Sequence, residues 1–212
     1  MKNRDIVGFS KRTLLTLVSV LFMGISLSVL KLLDLGMDSF TYMNVSIANK
    51  AGWSLGNWQL CLNIVMFIPV ILWGRKHLGI GTIFNMVLVG YTVDFCTWIW
   101  ELVDLKAMLD GQVVRYIVML PVLVVFIFAA AVYMSTDLGT APFDALPMMI
   151  SEKISKVSFK VIRFIWDLTA VAIGFVLSGK VPVVTILMVV FLGQTIAFVR
   201  KNMKILNKPA HN

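Results

Sequence analysis

Long apolar runs separated by short polar segments dominate the chain. Six of them approach the roughly 20 residues that a helix needs to cross the hydrocarbon core of a bilayer. They cover residues 13–33, 58–73, 81–100, 116–133, 161–176 and 181–199. Tryptophans cluster near several of the run ends, where membrane interfaces favour amphipathic rings. The pattern predicts six transmembrane helices in an all-α integral membrane protein.

The composition agrees with this interpretation. Apolar residues make up 59% of the 212 positions and charged residues 14%, whereas soluble domains have roughly 45–50% and about 25%. A water-soluble fold of this length could not bury so much apolar surface, which excludes a soluble enzyme, a disordered chain and a disulfide scaffold. Because the sequence has no catalytic triad, Gly-rich phosphate loop or metal-binding motif, we expect neither an enzyme nor a cofactor. We expect one transmembrane domain over residues 1–212.

The formal net charge of +8 comes from basic residues that cluster in alternate polar segments. These segments are the N-terminal tail, residues 75–77, residues 153–163 and the tail at 201–212. Membrane proteins keep such clusters on the cytoplasmic side, beside anionic lipid. The charges therefore indicate a lipid partner rather than nucleic acid, and they predict that both termini are cytoplasmic.

The chain matches itself at an offset of 103 residues. Asp-Leu-Gly at 34–36 recurs at 137–139, and Gly-x-Thr-x-x-Phe at 90–95 recurs at 193–198. The two copies cover residues 12–106 and 115–200, with three predicted spans each. Since three is odd, the second copy would enter the membrane from the opposite side. This predicts a 3+3 inverted-topology repeat, in which substrate sites often lie between the halves.

A short helix is predicted directly after the first span of each half. In the second copy, Gly139 can end the preceding helix, Thr140 is a suitable N-cap and Pro142 suits a first helical turn. The first copy has Gly36, followed by Asp38 or Ser39 as its cap. Each helix is too short to span the bilayer. It could lie flat at the interface as a connector, or enter the membrane as a re-entrant half-helix whose break lines a site.

These residues also resemble a known family. The string Gly-Thr-Ala-Pro-Phe-Asp at 139–144, with Gly-Ile-Gly-Thr at 79–82, Gly90 and Asp94, is similar to the YczE/YitT group of bacterial integral membrane proteins. Since no soluble C-terminal domain of the YitT type is present, the chain resembles the short YczE type. The resemblance implies a protein of the bacterial cytoplasmic membrane, and it implies no particular activity.

Polar side chains inside the predicted spans are candidates for a site, because charges in hydrocarbon are unfavourable and tend to mark pathways. Asp94 lies deep in the third span, as a hydrogen-bonded interior carboxyl, a side chain reaching the outer surface, or a proton- or cation-handling group. Asp167 follows Arg163 by four residues and can pair with it. The candidate binding residues are Asp34, Gly36, Asn63, Asp94, Asp137, Gly139, Thr140, Pro142, Asp144 and Asp167.

Two main functions follow from these patterns. The first is a small transporter or channel-like protein that moves an unidentified small solute or ion between the inverted halves, alone or as a homodimer. The alternative is a non-transporting membrane accessory or scaffold protein that supports a partner. Lipid handling is a weaker third hypothesis.

Overall fold

The computed structural model describes residues 2–154 and 156–202. These ranges contain helices and connecting turns, with no strand among them. The helices are α1 (Lys2–Leu33), α2 (Ser39–Ala51), α3 (Leu55–Trp73), α4 (Ile80–Leu102), α5 (Leu105–Met108), α6 (Gln112–Ser135), α7 (Pro142–Lys153), α8 (Phe159–Ser178) and α9 (Val183–Asn202). One turn of 3₁₀ helix, Arg75–His77, joins α3 to α4. The expected all-α architecture is confirmed.

Among the described residues, five helices are long and apolar enough to cross a membrane. They are Gly8–Leu33, Leu55–Trp73, Ile80–Leu102, Gln112–Ser135 and Phe159–Ser178. Large apolar side chains on these helices face outward, as Val176 (80% exposed) and Trp73 (77% exposed) do. The sixth predicted span coincides with α9 and stays a prediction. Of the predicted basic tail, residues 203–212 lie outside the described part of the chain.

Helix α2 begins where the sequence offers a cap. The Asp38 carboxylate accepts a hydrogen bond from the Thr41 backbone N–H at 3.0 Å, which satisfies one of the free donors of the first turn. Asp38 is therefore the cap, rather than the alternative Ser39. The helix ends at Gly52, whose φ of 71° is the left-handed conformation that glycine adopts readily.

Helix α7 begins differently from the prediction. Thr140 was expected to cap it, but Ala141 occupies the N-cap position because the helix starts at Pro142. Thr140 lies one residue before the N-cap position. The backbone N–H of Thr140 donates to the His77 carbonyl at 3.0 Å. Proline has no N–H, so the first turn needs one donor fewer to be satisfied.

The two Asp-Leu-Gly segments form turns with the same backbone. Asp34 and Asp137 both have φ of 53°, and Gly36 and Gly139 have φ of 120° and 101°. Aspartate tolerates this left-handed region better than most residues, and glycine adopts it without strain. The repeated sequence thus produces a repeated turn.

Each of these turns docks on the start of a distant helix. The Leu35 carbonyl accepts a hydrogen bond from Val184 N–H at 3.2 Å, and the Leu138 carbonyl accepts one from Gly81 N–H at 2.8 Å. The first turn therefore attaches to α9, and the second attaches to α4. The segments that precede α2 and α7 are held against the opposite part of the chain.

The long helices pack around the same crossed arrangement. Helix α1 packs against α4 and α6, while α2 lies along α8 and α7 contacts α3. The starts of the two short helices meet in the interior, where the Phe40 and Phe143 rings stack with centroids 4.5 Å apart. Both phenylalanines are buried, so the starts of the two short helices lie inside the bundle.

Replacing Gly36 with alanine should strongly destabilise the fold. A Cβ atom there would lie 2.7 Å from the Thr185 backbone nitrogen, in addition to a positive-φ penalty of roughly 1–2 kcal/mol. Gly52→Ala is the matched control, because its φ is also positive but no heavy atom lies within 4 Å of the added Cβ. Thermal unfolding in detergent should show a larger loss for Gly36→Ala than for Gly52→Ala. Equal losses would contradict the close docking of the turn.

Candidate functional site

A buried cavity of about 60 Å³ lies where the two short helices begin. We call it the central cavity. The long helices α1, α3, α4, α6 and α8 complete its wall. Its polar lining consists of Asp38, Thr41, Gln59, Asn85, Tyr133, Asp144 and Arg163. This volume has room for a few water molecules or a small ion.

Arg163 connects the elements on one side of this cavity. Its Nη1 atom donates to Asp144 Oδ1 at 2.5 Å, and its Nε atom donates to Asp167 Oδ2 at 2.9 Å. The guanidinium also lies over the Phe143 ring, 5.5 Å from the centroid. The predicted pairing of Arg163 with Asp167 is confirmed, and the structure adds Asp144 as a second carboxylate.

Asp167 extends this network to the other short helix. Its Oδ1 atom accepts a hydrogen bond from the Ser39 hydroxyl at 2.6 Å. Ser39 is the first residue of α2, whereas Asp144 lies in the first turn of α7. One buried ion network therefore holds the starts of both short helices to α8, and a charge at this depth is tolerated because it is paired.

Asp38 is the carboxylate that this network leaves without a cation. Its Oδ2 atom accepts the Thr41 N–H, while its buried Oδ1 atom has no hydrogen-bond partner in the described ranges. Burial raises the pKa of Asp38 above its ordinary value, and repulsion from Asp144 and Asp167 adds to the increase. The protonated form of this carboxyl group is therefore more favourable than that of an ordinary aspartate.

Gln59 contributes a second unsatisfied atom to the cavity. The residue is 1% exposed, and within the described chain its Oε1 atom accepts no hydrogen bond. A buried amide oxygen without a donor is unfavourable by roughly 1–3 kcal/mol. Two residues that line the central cavity, Asp38 and Gln59, therefore each have a side-chain oxygen atom that could accept a hydrogen bond from a ligand or bind a cation.

Asp94 has a different role from the carboxylates of the Arg163 network. Its two oxygens accept hydrogen bonds from the Leu55 and Gly56 backbone N–H groups, at 3.2 and 2.6 Å. These groups open α3, and the carboxylate compensates the positive end of that helix. Of the alternatives for Asp94, the structure favours a hydrogen-bonded carboxyl with a structural role.

The first Asp-Leu-Gly turn lies at a second cavity, of about 310 Å³. Asp34 accepts a hydrogen bond from Lys180 Nζ there at 2.7 Å, with both side chains largely exposed. Gly36 lines this second cavity as well. Asp34 and Gly36 are therefore separated from the charge network.

The other predicted residues lie around the second break. Asp137 is exposed, Gly139 shapes the turn, and Pro142 is buried at the start of α7. The Thr140 hydroxyl is buried and has no partner among the described residues. Asn63 is fully buried on α3, and neither atom of its side-chain amide has a partner in the described chain. Of the ten candidates, the structure brings Asp144 to the central cavity and connects Asp167 to it through Arg163.

Sequence reasoning did not nominate Asp38, Gln59 or Arg163 as binding residues. Gln59 precedes Asn63 by four positions, which places two amides on one face of an otherwise apolar helix. That spacing was a usable signal. Asp38 was recognised only as a cap, because nothing in the sequence indicates that the start of α2 lies beside α8.

Comparison with known proteins identifies the family of this chain. The model of a family of unknown function, DUF6198, matches residues 10–201. The chain belongs to this family. It is similar to the uncharacterised membrane protein YczE of Bacillus subtilis (strain 168), with 27% identity over 84% of this chain and 80% of the relative. The resemblance to the YczE type is confirmed, and the chain is a membrane protein.

Two further relatives cover similar lengths. An uncharacterised protein of Haemophilus influenzae (strain ATCC 51907 / DSM 11121 / KW20 / Rd) is 27% identical over 87% of this chain and 80% of its own length. The uncharacterised protein YyaS of Bacillus subtilis (strain 168) is 24% identical over 81% and 83%. No solved structure matches the chain significantly.

Replacing Arg163 with methionine should destabilise the protein by about 3–5 kcal/mol, because it leaves Asp144 and Asp167 buried without their cation. Arg75→Met is the matched control, since Arg75 is exposed and its Nε atom donates to the carbonyl of Ile71, four residues earlier in the chain. Chemical unfolding in detergent at neutral pH measures the difference. A small effect of Arg163→Met would show that the network is not important for stability.

Replacing Asp94 with alanine should lower the free energy of unfolding by about 0.5–2 kcal/mol, as the loss of other N-terminal helix caps does. Asp110→Ala removes a carboxylate that is 85% exposed, and it serves as the control. Amide hydrogen exchange should accelerate at Leu55 and Gly56 in Asp94→Ala. Unchanged exchange there would contradict the capping role.

Proposed function

We propose that this protein is a small transporter or channel-like protein that moves a small solute or ion through the central cavity, between two inverted three-helix halves. The observation that carries this proposal is the meeting of two helix starts at one small cavity whose wall contains both apolar and charged side chains. Transporters built from inverted repeats commonly form their sites from broken helices at the interface of the repeats.

The inverted repeat is supported by contacts that recur at the sequence offset. The pairs Leu35–Val184 and Leu138–Gly81 make the same backbone hydrogen bond, and adding 103 to Leu35 and Gly81 yields Leu138 and Val184. Phe40 and Phe143 are also 103 residues apart, and they stack on each other. Two equivalent residues that touch must lie close to the axis that relates the halves. In this arrangement α9 supplies the sixth span.

The same contacts favour re-entrant rather than interfacial short helices. Non-helical backbone inside a membrane requires partners from the protein. Before α2, Met37 N–H donates to the Thr185 hydroxyl at 3.2 Å, and before α7, Thr140 N–H donates to the His77 carbonyl at 3.0 Å. Each break thus has protein partners for its backbone, as a segment at membrane depth needs.

Two exposed ion pairs join the proposed halves. Lys76 pairs with Glu152 at 2.7 Å and Lys180 pairs with Asp34 at 2.7 Å. The bond from Lys76 lowers the pKa of Glu152, so this pair persists at neutral pH and weakens only in acid. In the proposed topology, with both termini cytoplasmic in the bacterial cytoplasmic membrane, the first pair is cytoplasmic and the second external. Exposed pairs contribute only about 0–1 kcal/mol, so either can open while the buried network stays intact.

Reconstituted protein tests the proposal. Wild-type vesicles are given gradients of inorganic ions and of small neutral, cationic and anionic solutes, and flux is followed with dyes for internal pH and membrane potential and by light scattering for swelling. We expect flux with at least one solute, and we expect Asp144→Asn to abolish it. Asp110→Asn, at the exposed end of a connection, should behave as the wild type.

The absence of flux would contradict the proposal. Folded wild-type protein, correctly inserted, that moves none of these solutes would contradict the transporter proposal. If that protein also co-purified with a specific membrane protein, the accessory function would replace it.

A further inference from the structure

We propose that Asp38 binds and releases a proton within the central cavity, and that Gln59 accepts the hydrogen bond of the protonated carboxyl, directly or through water. The proton comes from water in the cavity and returns to it, so that the carboxylate and a hydronium ion become a carboxylic acid and water. Proton binding by Asp38 does not depend on the proposed transport function. Its coupling to solute movement rests on the proposed function.

Negatively charged side chains outnumber positively charged ones around the central cavity. The titratable groups that face it are Asp144 on α7, Arg163 on α8 and the Tyr133 hydroxyl on α6, with Asp167 behind Arg163. The lining residues from α1, α3 and α4 carry no charge. Arg163 is shared between Asp144 and Asp167, so this region contains three carboxylates and one guanidinium. One additional positive charge in the form of a proton reduces this imbalance.

Two oxygen atoms without a hydrogen bond indicate the position of the bound proton. Asp38 Oδ1 and Gln59 Oε1 are both acceptors, and neither receives a hydrogen bond from a described residue. Two acceptors cannot satisfy each other. A proton on Asp38 Oδ1 converts it to a donor in the cavity where Gln59 lacks one, so a single proton satisfies both atoms.

Opposing influences keep this binding reversible. The Thr41 side chain, the Thr41 N–H and the positive end of α2 favour the carboxylate form of Asp38. Burial and the carboxylates of Asp144 and Asp167 favour the acid form. Since neither form is stabilised by all its neighbours, Asp38 can exchange its proton when the cavity gains or loses contact with water.

Other ions fit the cavity less well. An anion would meet three carboxylates and an Arg163 whose Nη1 and Nε atoms already donate to Asp144 and Asp167. A metal cation would lie beside the guanidinium of Arg163, which repels it. A proton requires no space beyond that of a water molecule.

Infrared difference titration of the purified protein tests the site without requiring transport. Asp38 should contribute its own carbonyl-stretch component of a protonated carboxylic acid as the pH falls, and subtraction of the Asp38→Asn titration from that of the wild type should isolate this component from those of the other carboxyl groups. Asp110→Asn should retain it, because Asp110 is exposed. Gln59→Leu should shift its appearance to lower pH, since the acid form loses its acceptor. An Asp38→Asn titration that superposes on that of the wild type would overturn the proposal, as would an unchanged midpoint of the Asp38 component in Gln59→Leu.

The failures of the two proposals can be separated. A titrating Asp38 in a protein that moves no solute would refute the transport function and leave the proton site standing. Solute flux with no infrared band lost in Asp38→Asn would refute the proton site alone. Addition of sodium or potassium chloride at constant pH should leave the band unchanged, and its displacement by either salt would show that the cavity binds a metal cation instead.

Discussion

Two interruptions of helical backbone, one before α2 and one before α7, impose the main constraint on this structure. Lipid cannot hydrogen-bond the N–H and C=O groups that such breaks expose. The protein satisfies them by crossing its own chain: the turn at 34–36 docks on the start of α9, and the turn at 137–139 docks on the start of α4. The paired hydrogen bonds that result hold α2 and α7 with their first residues together. The position of the central cavity follows from this docking.

The chemistry of the cavity is less symmetric than its backbone. At the 103-residue offset, Arg163 corresponds to Leu60, Asp167 to Ile64 and Asp38 to Ala141. The guanidinium and its two carboxylates therefore lie on the α7–α8 side, while the unpaired carboxyl lies at the start of α2. The offset relates positions along the backbone, whereas the charged side chains at related positions differ between the two segments. This difference explains why the polar groups in the cavity cannot be deduced from the repeat.

Several features could be predicted because they depend on local sequence. Apolar length predicted the spans that α1, α3, α4, α6 and α8 form, and Gly36 and Gly139 marked the turns before the short helices. The Arg163–Asp167 pair followed from helical spacing. Asp144 as a second partner of Arg163, and Ser39 as a partner of Asp167, required knowledge of how α2 and α7 pack on α8. Those contacts join residues up to 128 positions apart, and no local pattern reports them. The cap of α7 failed as a prediction because the register of Pro142 moved the cap to Ala141.

The lipid-facing surface explains why a small polar cluster has so much influence here. Outside water, apolar burial contributes little to the association of helices, and packing and polar contacts provide the specificity. In the described part of this chain a buried set of polar contacts converges on Arg163, which connects α8 to α7 directly and to α2 through Asp167 and Ser39. A change of charge at Asp38 occurs within the same cavity wall. Protonation there alters the electrostatic balance that holds the two short helices together, and those helices are the elements that carry the interface between the proposed halves. In the proposed mechanism, a proton bound at Asp38 acts on the same contacts that join the two proposed halves.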